Sequence, residues 1–143
     1  MKQMNKFTFY LLSFTWGLLF NLIGLIVAVV LLCTGHKPQK WGYCYYFEVG
    51  KNWGGVNFGM FFLTDKKSIN STKNHEHGHA IQNCYWGPLF LFVIGIPSMI
   101  RYWVRELKYK IRKPPKTGYG DIWFEGQATK WGDKLINNLN NTK

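Results

Sequence analysis

A chain of 143 residues with 18 Lys and Arg against 7 acids, a formal net charge of +11, is one domain large enough for a modest core. No nucleic-acid-binding motif interleaves with the basic residues, which instead flank apolar runs, so anionic lipid headgroups are the expected counter-charge and no nucleic-acid partner is expected. Cys33, Cys44 and Cys84 are odd in number and widely spaced, which argues against a disulfide framework and a Cys-type zinc site.

Mean hydropathy is only −0.16, yet the apolar residues are concentrated. Phe7 to Cys33 holds no charged residue and exceeds the roughly 20 residues that cross a bilayer as a helix, so residues 7–33 read as a transmembrane anchor. The run is too long for the apolar part of a signal peptide, and Leu32-Cys33-Thr34 offers no small-x-small cleavage site. Ser13, Gly17, Asn21, Gly24 and Ala28 recur at three- and four-residue steps, a small and polar stripe against which another helix can pack, with Asn21 available for an interhelical hydrogen bond.

His36-Lys37-Pro38-Gln39-Lys40 is a polar breaker. Trp41 to Val49 and Val56 to Leu63 are aromatic and β-branched, and Gly50 to Gly55 between them is turn chemistry, so the spacing predicts a β-hairpin. Its Trp and Tyr residues suit a headgroup zone. Asp65 to Asn74 is a polar loop.

Then comes Thr72-Lys-Asn-His-Glu-His-Gly-His-Ala, with His75, Glu76 and His79 in the order H-E-x-x-H. On a helix, positions four apart share a face, so two imidazoles converge on one tetrahedral ion. Glu76, one step round the turn, can reach a water on that ion without ligating it, as a general base must. Thr72 is the expected N-cap. His77 points off the ligand face and reads as a surface or packing residue. Gly78 lets a strand or a substrate backbone approach closely. The competing reading is a His-rich surface tract with adventitious metal affinity.

The metal helix should end near Trp86-Gly87-Pro88. Leu89 to Ile100 is apolar but carries Gly95 and Pro97, and is short for a span. Arg101 to Lys116 has seven basic residues against the single acid Glu106. Tyr119 to Gly132 predicts a short helix in which Glu125 sits among aromatics. A carboxylate there needs a partner, either a zinc ion as its third protein ligand or a salt bridge. His36 and Glu48 are reserve candidates for that ligand. Asp121, one turn before Glu125, could orient a histidine, and Tyr119 could donate to an oxyanion. Asn137 to Lys143 reads as a frayed polar tail.

His75-Glu76-x-Gly78-His79 followed by Phe124-Glu125-x-x-Ala128 resembles the gluzincin pattern, and in particular the integral-membrane peptidases of the stress-response and CAAX-processing type. The resemblance implies zinc ligands His75, His79 and Glu125, with Glu76 as base and membrane or membrane-near polypeptides as substrates. The hairpin either supplies an edge strand beside the metal helix that holds the substrate, as in peptidases of the thermolysin kind, or is a structural cover for that helix. A full crossing by Leu89 to Ile100 would separate the histidines from Glu125, so that segment is expected to re-enter or lie shallow, interrupted at Pro88 and Pro97, with a two-span protein with both termini inside as the rival arrangement. The expected fold is therefore an α+β membrane protein over residues 1–143, with one anchor and a metallopeptidase-like region over 34–143. It comprises a hairpin, a metal helix, a re-entrant segment and a C-terminal helix, holds one zinc ion, and contacts membrane lipids. The basic residues after position 34 put the metal site on the cytoplasmic side of a bacterial-type inner or plasma membrane. A non-catalytic protein with a structural metal site, or a lipid-surface module using residues 101–116, are the alternatives.

Overall fold

The computed structural model describes residues 4–142. Helices α1 (Lys6–Phe14) and α2 (Leu18–Cys33) precede four strands, β1 (Gln39–Trp41), β2 (Cys44–Glu48), β3 (Gly55–Phe58) and β4 (Phe61–Thr64). Helices α3 (Asn70–Trp86), α4 (Ile96–Lys110) and α5 (Trp123–Asn141) follow, so the fold is α+β with five helices and one four-stranded sheet.

Among the described residues no single helix is long and apolar enough to cross a membrane. The expected straight helix over 7–33 is instead two helices bent by 89°. Local hydrogen bonding makes the break: the Thr15 hydroxyl donates to the Leu11 carbonyl, and the Gly17 amide reaches back to Leu12 rather than to Ser13. Asn21 then closes the corner, donating to the Ser13 and Gly17 carbonyls and accepting from the Met60 amide. The stripe Ser13, Gly17, Asn21, Gly24 and Ala28 is buried as a unit. Its Gly24 meets Phe58 and Phe61 of the sheet, and its Gly17 meets Asn83 of α3.

The single hairpin expected from 41–49 and 56–63 does not form. Each run folds on itself, β1 against β2 and β3 against β4, and the two hairpins join through β2 and β4 in parallel, with Tyr45 opposite Phe61 and Glu48 opposite Thr64. The cause is Gly59, which interrupts the second aromatic run and adopts φ +72°, a turn conformation glycine takes without steric cost. Residues 50–54 become a crossover loop, tied down by the Asp65 carboxylate accepting from the Trp53 and Gly54 amides. The sheet order β1-β2-β4-β3 leaves β3 at an edge, beside α3.

Helix α3 starts at Asn70 with Ile69 at the N-cap, so Thr72 lies inside the first turn and does not cap it. The helix stops at Gly87-Pro88 as the sequence predicts. A short 3-10 turn and a π-helical segment, Leu91–Gly95, lead into α4, and the α3–α4 pair is bent by 119°. Helix α4 begins at Ile96, and Pro97 sits in its first turn, next to the π-helical segment. Helix α5 runs on through the stretch expected as a tail, because Leu135 and Ile136 are buried and Leu139 packs on the same core. Lys143 lies outside the described residues.

The pairing of α3 with α5 is the most extensive helix contact in the fold. Gly78 faces the Ala128 carbonyl and Gly132 faces the Asn74 carbonyl, so closely that a Cβ at either glycine would collide with backbone. The close approach expected at Gly78 is therefore made by α5, not by a strand. Alanine at Gly132 should destabilise the fold by about 2–3 kcal/mol even though alanine favours helix by roughly 1 kcal/mol. Alanine at Gly95, where nothing lies nearer than 3.6 Å, should be neutral or stabilising. Denaturant unfolding of the two variants checks the contrast.

Candidate metal centre

One turn of α3 brings His75 and His79 onto the same face, with their Nε2 atoms 3.1 Å apart. The glycine-mediated crossing lays the first turn of α5 against that face. Glu125 Oε2 then stands 3.0 Å from Nε2 of His75 and 3.4 Å from Nε2 of His79. Two residues separated by a loop and a helix from a third thus present one ligand atom each to a common point, all within 4.8 Å of one another. Around a tetrahedral ion with ligands at about 2.0–2.1 Å, donor atoms lie about 3.3 Å apart, so the spacing fits a zinc-sized ion.

The hydrogen bonds behind these atoms fix their protons. Gln82 donates its amide hydrogens to the Phe124 carbonyl and to Gln127, so its Oε1 is an acceptor, and His79 Nδ1 donates to it at 2.8 Å. Thr129 donates to the Glu125 carbonyl, leaving its oxygen to accept from His75 Nδ1 at 2.8 Å. These tautomers are assigned from the network. Both Nε2 atoms therefore turn bare lone pairs toward the centre. Ser98 donates to Glu125 Oε1 at 2.5 Å, which holds the carboxylate so that Oε2 faces the rings. That Oε2 is buried and receives no directed hydrogen bond. Three lone-pair donors facing one point repel one another unless a cation or proton lies between them.

Burial alone would raise the Glu125 carboxyl, but with a proton on the Nε2 side the two imidazoles donate to it, outweigh the burial and hold the group well below the usual carboxylate range. Burial likewise opposes charge on His79, and Glu125 outweighs it in turn. The three residues behave as one electrostatic unit.

Among the described residues no fourth His, Cys, Asp or Glu joins them. His36 bonds Thr34, and Glu48 lies in β2 opposite Thr64, so neither reserve candidate is a ligand. Glu76 is buried beside the centre and packs against Gly55 of β3, where the absent side chain leaves it room. Burial raises its carboxyl, partly countered by His75 and His79. His77 faces the opposite way, fully buried: its Nε2 accepts from the Tyr43 amide at 3.0 Å and its ring stacks on Phe9. Burial lowers its pKa to about 4, so the packing role read for it holds and a surface role does not.

Tyr119 packs edge-on against His75 and lines the cavity at the centre. Burial, with Glu125 nearby, pushes its hydroxyl far up, so it stays protonated. Arg101 and Arg105 of α4 lie over its ring and donate to the carbonyls of residues 117–119, which fixes the loop. Asp121, expected to orient a histidine, is exposed and instead accepts from the Gly118 amide at 2.6 Å. The orienting residues are Gln82, Thr129 and Ser98, all missed in the sequence. Two of them carried a signal, since Gln82 is three positions after His79 and Thr129 four after Glu125, the helical neighbours of each ligand. Ser98 carried none.

No protein-family model, curated protein or solved structure matches this chain. The site therefore rests on its own geometry.

Replacing Thr129 by Val removes the acceptor for His75 Nδ1 without changing the size of an exposed side chain. Zinc affinity should fall about 10- to 100-fold and recover in Thr129→Ser, with circular dichroism unchanged, as read by competition with a chromogenic chelator.

Proposed function

We propose that this chain is a zinc-dependent metallopeptidase that works at a membrane surface. The observation that carries the reading is a three-donor centre, joined by no fourth His, Cys, Asp or Glu among the described residues, whose histidines line a cavity shared with Glu76. A structural zinc site would close the fourth position with protein. His75, His79 and Glu125 would hold the ion, which when bound supplies Lewis acidity and lowers the pKa of water to about 7.

The remaining steps belong to the chain's own groups. Glu76, its basicity raised by burial, accepts a proton from the attacking water as the water oxygen bonds to the scissile carbonyl carbon. The protonated Tyr119 hydroxyl is the candidate donor to the resulting oxyanion. Glu76 then delivers its proton to the amine nitrogen as the C–N bond breaks, giving a carboxylic acid and an amine, and the proton left on the acid passes to the amine to give a carboxylate and an ammonium. Ser98 keeps Glu125 in the orientation that leaves Oε2 for the ion.

The membrane part of the reading rests on exposed surface. Leu22, Ile26, Val29 and Val30 of α2 and Ile100, Trp103, Leu107 and Ile111 at or beside α4 are all well exposed, and large apolar side chains exposed in such numbers suit contact with lipid. Helix α2 has 16 residues, about 24 Å, against a hydrocarbon thickness of about 30 Å. It is read as immersed without crossing alone, with α1 turned along the interface and the α3–α4 bend as the re-entrant element. All Lys and Arg except Lys2 and Lys6 follow residue 34, which favours a cytoplasmic centre in an inner or plasma membrane, with lipids and membrane-near polypeptides as partners.

Glu76→Gln should keep zinc at wild-type stoichiometry while hydrolysis of a quenched fluorescent peptide falls about 100- to 10,000-fold. Retained turnover in that variant would remove Glu76 from the mechanism.

A further inference from the structure

Two cavities of unequal polarity flank the centre, both mainly apolar, with side-chain charges beyond the shared Glu76 only in the second. One, of about 310 Å³, lies between β3 and α4 and is walled by Val56, Phe90, Ile94, Met99 and Trp103. The other, of about 390 Å³, is walled by Ser71, Thr72, Arg105, Glu106 and Thr129. They adjoin, because Trp53, Gly55, His75, Glu76, Tyr102 and Tyr119 line both. The ligand His75 and the base Glu76 thus stand where the two meet.

The first cavity carries no Lys, Arg or Asp, and its sole Glu is the shared Glu76. Met99 and Trp103 in its wall are 53% and 67% exposed and belong to the apolar outer surface of α4. That cavity therefore opens onto the surface assigned to lipid. The second offers hydroxyls and one charge of each sign. An extended chain laid along both puts its two halves in unlike surroundings. Polar side chains would lose their water without replacement in the first, whereas the hydroxyls, Arg105 and Glu106 of the second can pair with them.

We infer that the groove selects a polypeptide by the contrast across the bond it presents: apolar side chains in the cavity under α4, polar ones in the cavity beside Arg105. The substrate class is a chain passing from hydrocarbon into water, cut where the one gives way to the other. This rests on the peptidase reading and narrows it.

The test uses zinc-loaded Glu76→Gln protein in lipid nanodiscs, with empty nanodiscs subtracted. The probes are fluorescent peptides of four designs: a Leu/Val half followed by a Ser/Gln half, the reverse order, all Leu/Val, and all Ser/Gln. One of the two mixed orders should bind roughly tenfold or more tighter than both uniform peptides. Met99→Gln and, on the other side, Thr72→Val should each reduce that preference with zinc content and circular dichroism unchanged. Wild-type protein should cut the preferred peptide at its junction. Equal binding of mixed and uniform peptides, or a preference that neither variant moves, overturns the inference. Zinc-dependent cleavage of uniform peptides at the same rate overturns it while leaving the peptidase reading standing. No binding and no cleavage of any peptide overturns both.

Discussion

Two helix backbones in contact, with glycine on each side of the crossing, are the constraint on which the rest of this structure depends. Gly78 admits the Ala128 carbonyl and Gly132 admits the Asn74 carbonyl, so α5 lies against α3 closely enough for a short Glu125 side chain to reach both histidines. Leu135 and Ile136 further along α5 bury the apolar surface that keeps it there. What the crossing creates is electrostatically unfavourable unless a proton or cation lies at its centre: two imidazole nitrogens and a buried carboxylate oxygen, aimed together by Thr129, Gln82 and Ser98. A fold that maintains such an arrangement has stability to regain from a cation.

The three residues that meet at the centre were legible in the sequence: His75 and His79 from their helical spacing of four, and Glu125 from an aromatic setting in which a charge needs a partner. Tertiary details were not legible. The break at residues 15–17 depends on Asn21 reaching both across the corner and to Met60, a contact between segments 39 positions apart. Gly59 was visible but sat inside an aromatic run whose composition favours strand, so the tight turn was masked and two hairpins were read as one. The C-terminal polar run conceals its buried face because Asn137, Asn138, Asn140 and Asn141 crowd around Leu139, which alone marks the helical period. Asp121 looked like an orienting group from its spacing, yet the loop geometry turned it to its own backbone.

Helix α4 links the apolar surface to the chemistry. It has no buried residue, and hydrogen bonds at Ser98, Arg101, Tyr102 and Arg105 hold it over the centre. One face places Ser98 on the ligand carboxylate and two arginines on Tyr119, while the other presents Trp103 and Leu107 outward. Its π-helical entry and the bend before it let one apolar segment leave α3 and return above the site. The order of elements thus brings Glu125 back to the histidines.

Zinc content of the purified protein tests the central claim most directly, read by elemental analysis together with X-ray absorption at the zinc edge. The account predicts one ion per wild-type chain with two nitrogen ligands and a carboxylate oxygen from protein, and loss of that ion in both His75→Ala and Glu125→Ala. Wild-type protein that takes up no zinc, or zinc retained in either variant with an unchanged absorption spectrum, would contradict it.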